Sequence, residues 1–295
     1  MNSTLKLWTQ LGLGTALAGG LLAACSGGDA GGEAGGGAGG EAGAEGAQSA
    51  PEAAATAGEG EGGSGPGEGA ATPDGGEGEG GVAVGDAAKD PVAYGIALAV
   101  AEAHVVAARD AYAAGNKAAA AEMFAHPVSE VLLDMDPVFA KLGVADMKPL
   151  FTDASVAATE GKSVAEVSKG YDKIIAALRG AAQKAPKGAA SPAKVAVGVI
   201  ADQLERSSAM YRRLAKETSY EPYLDGYGFS RVAAVTFAAS GAAIKAENPA
   251  AHASISEALA LLAKAYPGAA RPAKLPADAG ALSGASAKVM LAAAN

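Results

Sequence analysis

The sequence changes character sharply near residue 88, and this change determines which part of the chain can fold. Residues 26–88 consist largely of Gly, Ala and Glu, and they contain twelve acidic side chains but no Lys or Arg. The stretch has no apolar periodicity and cannot bury enough surface to offset the entropy lost on ordering. We therefore expect residues 25–88 to form a disordered acidic tether and residues 89–295 to form the folded domain.

The formal net charge of −9 belongs to this acidic stretch and not to the predicted domain. Residues 89–295 hold 22 basic and 20 acidic side chains, so this part of the chain is nearly neutral. Domains that bind nucleic acids carry clustered positive charge. The scattered Lys and Arg residues therefore predict no nucleic-acid partner.

The first 25 residues have the pattern of a targeting signal. Lys6 precedes an apolar run that glycines interrupt, and the run ends in the tetrapeptide LAAC at residues 22–25. A run this short is typical of a signal peptide and not of a membrane span. The tetrapeptide resembles the lipobox of bacterial lipoproteins. An ordinary secretory signal with a coincidental Cys is the alternative.

The lipobox resemblance implies where the protein is located. It implies removal of residues 1–24 and lipid attachment at Cys25, which is the only Cys in the chain. Several acyl chains inserted together hold a protein stably on a membrane. Ser26 follows the Cys, whereas Asp at this position is the usual signal for retention in the inner membrane. We therefore expect an outer-membrane lipoprotein whose domain faces the periplasm.

The signals for helix starts and ends predict an all-α helical bundle in residues 89–295. Asp, Ser or Asn followed by Pro is typical of a helix start, with the first residue as the N-cap and Pro at the first helical position. Ser163 with Glu166 is typical of a capping box. Helix ends are expected at glycines. No stretch shows the sustained alternation of a β-strand, which favours a bundle. The N-caps expected before a Pro are Asp90, Ser191 and Asn248. Asn116 is expected to cap a further helix. The expected helix ends are Gly115, Gly143 and Gly161.

The two halves of this region show a weak internal similarity. Residues 100–112 resemble residues 200–211, each being a long helical segment that ends near a Tyr. The similarity indicates either a duplication or the coincidental resemblance of alanine-rich helices. In this alignment Leu204 takes the place of His104, so the first half carries a polar group that the second half lacks.

Two histidines lie symmetrically about the turn expected at Gly115. His104 is eleven residues before this glycine and His126 is eleven residues after it. In antiparallel helices both would therefore lie about 16 Å from the turn and could converge. Glu130 follows His126 by four residues and Glu122 precedes it by four, so both carboxylates share its face. Two imidazoles with these carboxylates between facing helices predict a site for iron, zinc or copper.

A structural role is the alternative for each of these residues. A single His on an apolar stripe, such as His104, is more often a hydrogen-bonded core residue than a metal ligand. His126 precedes Pro127, which is typical of a helix C-cap. A kink at Pro127 would also turn Glu130 away from His126.

Further acidic side chains lie at the start of the helix expected from Glu221 to Lys245. Glu221 and Asp225 are one turn apart, and aromatic residues surround them in the sequence. Acidic residues in the first turn complement the helix dipole. We interpret the two carboxylates in that way, with a functional cluster as the alternative.

The sequence contains no GxSxG, HExxH, P-loop or CxxCH motif, and we therefore expect a protein that is not an enzyme. Two classes of function remain. The first is a lipoprotein that binds a metal ion through His104, His126, Glu130 and Glu122. The second is an envelope scaffold or adaptor that binds another protein through its helical surface.

Residues 90–265 resemble the imelysin-like periplasmic proteins that are associated with bacterial iron uptake. Those proteins are secreted or lipid-anchored helical bundles with a His on the first long helix. Their GxHxxE motif corresponds here to residues 102–107, in which His104 is present while Glu102 and Ala107 occupy the Gly and Glu positions. The resemblance implies a function in iron handling at the cell envelope.

Overall fold

The computed structural model describes residues 84–294, and these residues form a helical bundle without β-strands. The predicted all-α fold class is confirmed. The signal peptide and nearly all of the tether that the sequence predicts lie outside the described residues. The α-helices are, in chain order, α1 (Pro91–Ala113), α2 (Lys117–Pro127), α3 (Leu133–Leu142), α4 (Lys148–Thr159), α5 (Val164–Ala182), α6 (Pro192–Arg213), α7 (Glu221–Glu247), α8 (Pro249–Ala265) and α9 (Ala279–Ala294).

Most helix starts follow the capping pattern in the sequence. The side chains of Asp90, Ser191 and Asn248 accept hydrogen bonds from backbone N–H groups in the first turns of α1, α6 and α8. Ser163 and Glu166 form both bonds of the capping box at the start of α5. The start of α2 differs, because the side chain of Asn116 makes no capping hydrogen bond. Asn116 therefore occupies the predicted N-cap position without forming the side-chain bond of a cap.

A tight glycine turn makes α1 and α2 neighbours. Gly115 has a φ of 91°, in the left-handed region that glycine adopts without a steric penalty. The connection leaves only residues 114–116 between the two helices, which therefore pack side by side as an antiparallel hairpin. Gly143 and Gly161 end their helices in the same conformation, as their sequence positions predict.

Helix α1 lies at the centre of the bundle and packs against α2, α5, α6 and α7. Small residues cover much of its surface, so neighbouring helices approach it closely. It is also long and apolar enough to cross a membrane, but 78% of its most apolar 18-residue window is buried inside the bundle. Its apolar composition is therefore that of a core helix.

A buried ion pair joins α1 to α5. The two terminal nitrogens of Arg179 each lie 2.6 Å from a carboxylate oxygen of Glu102, in a two-pronged arrangement. Only 6% of the Glu102 side chain is exposed. A carboxylate removed from water in this way needs its partner, because burial without one costs several kcal/mol.

Two elements of the fold were not predicted individually from the sequence. Val84–Asp86 form a short 3-10 turn that is followed by the fully buried Ala87, so ordered structure begins before residue 89. Helix α9 packs against α6 and α8 at the C-terminal end of the described chain. Its sequence is dominated by Ala, Gly and Ser, and it therefore lacks a stripe of large apolar residues that would indicate a helix.

Candidate metal centre

The hairpin of α1 and α2 brings His104 and His126 together, as the equal spacing from Gly115 predicts. Their ring centroids lie 6.0 Å apart, and the rings meet edge to face. His104 is almost completely buried, with 3% of its surface exposed. The edge of a second ring, that of Phe229 in α7, packs against it with a centroid separation of 5.7 Å.

A π-helical turn places Glu130 between the two imidazoles. Pro127 has no N–H group to continue the α-helical bonding, and Val128–Leu132 continue the chain as a π-helical turn. The two oxygens of the Glu130 carboxylate then face different imidazoles. Oε2 lies 3.2 Å from Nε2 of His104, and Oε1 lies 3.7 Å from Nδ1 of His126. The distortion at Pro127 therefore keeps Glu130 beside His126 instead of turning it away.

Helix α7 supplies a carboxylate that the sequence did not assign to the site. Asp225 is 5% exposed, and its Oδ1 atom lies 3.6 Å from Nε2 of His104. The close approach of α7 to α1 depends on Gly228, because a Cβ atom there would overlap the backbone carbonyl of Ala103. On another side of α7, a Cβ atom at Gly226 would overlap the hydroxyl of Tyr266. Gly228 therefore allows the packing that brings Asp225 to His104, and Gly226 allows Tyr266 to pack closely against the same helix.

The hydrogen bond of His104 to its own helix determines which ring nitrogen carries a proton and which one faces the carboxylates. Nδ1 lies 2.8 Å from the carbonyl oxygen of Val100 and, because that oxygen only accepts, Nδ1 carries a proton. In the neutral ring Nε2 then has a lone pair that faces the oxygens of Glu130 and Asp225. Lone pairs on all three atoms repel one another unless a positive charge lies between them. The cluster therefore requires either a proton shared between Nε2 and one of the carboxylates or a cation.

The ring of His126 is oriented the other way, with Nδ1 instead of Nε2 facing the cluster. Nδ1 faces inward towards Glu130, whereas Nε2 lies 3.7 Å from Oε1 of Glu221 at the more exposed edge of the cluster. A proton on Nε2 would face Glu221 and leave the lone pair of Nδ1 directed at the cluster. Histidines that bind metals usually donate their other N–H to a carboxylate or a backbone carbonyl. Val100 and Glu221 are suitably placed to be these acceptors.

Unpartnered polar atoms are concentrated at this cluster. Within the described residues, four buried side-chain nitrogen or oxygen atoms have no hydrogen-bond partner, and three of them belong to His126, Glu130 and Asp225. Such atoms are rare in folded proteins because each costs free energy when it is removed from water. The hydroxyl of Tyr227, also on α7, is satisfied, since it donates to Asp110 at 2.7 Å. The fourth unpartnered atom is Oε1 of Gln203.

The buried charges perturb one another. Burial raises the pKa of Asp225 to about 6, and the charge of His104 offsets only part of this effect. Burial alone would lower the pKa of His104, but its contact with Glu130 and the nearby charge of Asp225 outweigh burial and raise it. Burial would likewise raise the pKa of Glu130, but His104 lowers it below its ordinary value. In the metal-free cluster these contacts thus favour the protonated form of His104 and the ionised form of Glu130.

The donor atoms have the spacing of an open metal site. One ligand atom each from His104, His126 and Asp225 lie within 4.8 Å of one another. Ligands about 2.0–2.2 Å from an ion lie roughly 3–4 Å apart. The three atoms therefore need to move inward by about 1 Å, which small side-chain rotations provide. Glu130 lies beside them and is able to supply a fourth ligand.

Glu122 occupies a different position from the other predicted ligands. It is exposed, and it lines a pocket together with Glu221 instead of contacting either imidazole within the described residues. The structure thus brings together His104, His126 and Glu130 and adds Asp225. The one-turn spacing of Glu221 and Asp225 was a signal for this addition, but nothing in the sequence linked it to His104.

Comparison with known proteins supplies no relative from which a role could be transferred. The sequence matches no family model, no curated protein and no solved structure. The role of the cluster therefore has to be inferred from its own side chains.

Proposed function

We propose that the helical domain binds one divalent transition-metal ion through His104, His126 and Asp225, with Glu130 as a further ligand. The observation that carries this proposal is the convergence of Oε2 of Glu130 and Oδ1 of Asp225 on Nε2 of His104, beside the unpartnered Nδ1 of His126. A cation would satisfy these atoms together, whereas a single proton satisfies fewer of them. Binding would then release the proton that His104 holds in the metal-free protein.

The donor set limits which metals fit. Two imidazoles with one or two carboxylates suit zinc, iron and copper, because imidazole is a borderline ligand and no thiolate or thioether takes part. Calcium and magnesium prefer sites made only of oxygen ligands. Iron, zinc or copper is therefore the expected ion. With no catalytic motif in the sequence, we propose that the protein holds or transfers this ion and does not use it in a reaction.

We also propose that the domain is held at the cell envelope by lipid on Cys25. The support is the LAAC sequence after an apolar run, and Cys25 lies outside the described residues. If the tether of about 60 residues between the lipid and α1 is disordered, as its sequence predicts, it would give the domain a reach of roughly 45 Å. The centre would then collect or deliver ions within the periplasm.

Metal loading tests the proposal directly. The purified protein is dialysed against Zn²⁺, anaerobic Fe²⁺ or Cu²⁺, and the retained metal is measured by mass spectrometry. We expect about one equivalent in the wild-type protein and a loss of this equivalent in His104→Ala and Asp225→Asn. The matched control is His252→Ala, because His252 packs against Phe237 and lies outside the cluster.

The difference between variants is the decisive quantity, because the acidic N-terminal stretch is the same in every variant and any cation it binds cancels in the comparison. Equal metal content in wild-type and His104→Ala protein would contradict the proposal. It would favour the alternative, an envelope scaffold that binds another protein.

A further inference from the structure

The cluster is closed on most sides and becomes more exposed in one direction. His104 and Asp225 are nearly inaccessible, whereas the side chains of His126 and Glu130 are 22% and 25% exposed. Glu221, next to Nε2 of His126, is 46% exposed. The exposure therefore rises from the centre of the bundle through His126 to Glu221. An ion that reaches His104 has its least obstructed path along this gradient.

A pocket lies at the outer end of the gradient. Its volume is about 220 Å³, and α2 and the start of α7 form its walls. Met123 and Leu224 make the walls partly apolar, while Glu122 and Glu221 place two carboxylates at the pocket. The pocket is lined by Ala119, Glu122, Met123, Ser219, Tyr220, Glu221 and Leu224.

The size and charge of this pocket suit a hydrated divalent cation. Six water molecules at about 30 Å³ each occupy roughly 180 Å³, which the pocket accommodates. Carboxylates in a concave surface with apolar walls raise the local concentration of cations and the rate at which they arrive. The unpartnered Oδ1 of the nearly buried Asp225 and the inward-facing Nδ1 of His126 lie next along the path. The ion could therefore exchange its waters for protein ligands in steps.

We infer that this pocket is the uptake route of the metal centre, in which Glu122 and Glu221 capture the hydrated cation and His126 passes it inward. This inference rests on the proposed function. It assigns Glu122 a role in the rate of uptake and not in the final ligand set. The two nitrogens of His126 face the two ends of this route, Nε2 towards Glu221 and Nδ1 towards Glu130.

Uptake and release kinetics of Zn²⁺ test this route. Uptake is followed by stopped-flow competition with a fluorescent zinc chelator, and release is followed in excess EDTA. We expect Glu122→Gln to slow uptake about 3–10-fold at low ionic strength and to slow release to a similar extent, so that Kd changes less than about threefold. The effect on uptake should shrink at 0.5 M salt because added ions screen the pocket charge.

A second variant tests the route without changing its charge. Ala119→Phe fills the pocket, and we expect it to slow both uptake and release at least tenfold while Kd stays similar. The control is Asp172→Asn, which removes an exposed carboxylate from α5, a helix that packs on α1 and α4. Its kinetics should equal those of the wild-type protein.

The possible outcomes separate this inference from the proposed function. If Glu122→Gln and Ala119→Phe both exchange Zn²⁺ at wild-type rates, the route is wrong although the centre binds metal. If Glu122→Gln weakens Kd tenfold or more by accelerating release alone, Glu122 is a ligand and the route is likewise overturned. If the wild-type protein retains none of Zn²⁺, Fe²⁺ and Cu²⁺ in the loading test, the proposed function itself fails.

Discussion

Nε2 of His104 in α1 and Oε2 of Glu130 in the π-helical turn face each other at 3.2 Å, and this contact makes the interior of the bundle a site for positive charge. Asp225 adds a second carboxylate oxygen 3.6 Å from the same nitrogen. In the metal-free protein a proton on His104 supplies the positive charge, and in the proposed metal complex the ion does. The same contacts therefore set both the stability of the fold and its affinity for metal.

Asp225→Asn is expected to stabilise the metal-free protein while it abolishes metal binding. Burial raises the pKa of Asp225 to about 6, so keeping this group ionised at pH 7.5 opposes folding. One pKa unit corresponds to about 1.4 kcal/mol, and we expect a gain of about 1–3 kcal/mol in the free energy of unfolding. Urea denaturation in EDTA measures this gain. Lower stability of the variant at pH 7.5 would contradict the assigned role of Asp225.

The metal-free protein should become more stable as the pH falls from 7.5 to 5. Asp225 has a folded pKa above its unfolded value near 3.8, so its contribution is full at low pH and is lost as the pH rises through about 6. His104 also has a raised pKa, and its contribution is likewise lost as the pH rises past its folded value. Glu130 has a lowered pKa and loses its contribution only below this window.

Thermal unfolding in EDTA at pH 5 and pH 7.5 checks this pH dependence. We expect a higher midpoint at pH 5 for the wild-type protein and a smaller difference for Asp225→Asn. A wild-type midpoint that is lower at pH 5 than at pH 7.5 would show that other groups control the response.

Gly228→Ala should weaken both the fold and the metal centre. The added Cβ atom would overlap the carbonyl of Ala103, so α7 must move away from α1 and carry Asp225 away from His104. Overpacking of this kind costs about 1–3 kcal/mol, and we expect metal affinity to fall at least tenfold. Urea denaturation and metal titration measure the two effects.

Gly180→Ala is the matched control for this substitution. Gly180 is exposed near the end of α5, and nothing lies within 4 Å of the position that a Cβ atom would take. The change should stabilise the protein by about 0.5–1 kcal/mol, since alanine favours a helix over glycine by this amount. Equal effects of the two variants would show that the contact between Gly228 and Ala103 is unimportant.

Arg179→Met should destabilise the protein by about 3–5 kcal/mol, because it leaves the buried carboxylate of Glu102 without its partner. Adding Glu102→Leu should recover most of the loss, since an apolar pair needs no compensating charge. Urea denaturation of both variants and the wild-type protein measures the recovery. If the double variant is no more stable than Arg179→Met, the ion pair does not explain the loss.

Cys25→Ser should prevent lipid attachment and leave the protein unprocessed or free of the membrane. The expectation follows from the need for a thiol at the end of the LAAC sequence. Membrane fractionation and intact mass measurement compare the variant with the wild-type protein. A wild-type protein that keeps residues 1–24 and carries no acyl chain would contradict it.

Local signals were sufficient to predict most of the helices and the meeting of the two histidines. The capping groups at Asp90 and Ser163 act within one turn of the chain, and the turn at Gly115 fixes the relation of α1 to α2 over a short distance. The eleven-residue spacing on each side of this glycine therefore indicated that His104 and His126 face each other.

The contribution of α7 could not be read from the sequence. Asp225 reaches His104 only because Gly228 lets two distant helices touch, and such a contact has no local signature. The π-helical turn after Pro127 was also not predicted, since Pro in a helix is compatible with a kink, a break or a local change of pitch. Glu122 satisfied the same i,i+4 rule as Glu130, and the rule does not show which of two carboxylates faces the neighbouring helix.

The π-helical turn has a consequence for how such a centre can arise or disappear. A turn that closes with a bond from residue i to i+5 contains one residue more than the α-helical turn it replaces. Deleting a single residue within Val128–Leu132 would restore regular α-helix and change the directions of the side chains within the turn, while the flanking segments keep nearly the same orientation because the π-helical turn absorbs the extra residue. The gain or loss of one codon could therefore create or remove the alignment of Glu130 with both histidines while the rest of the bundle is retained.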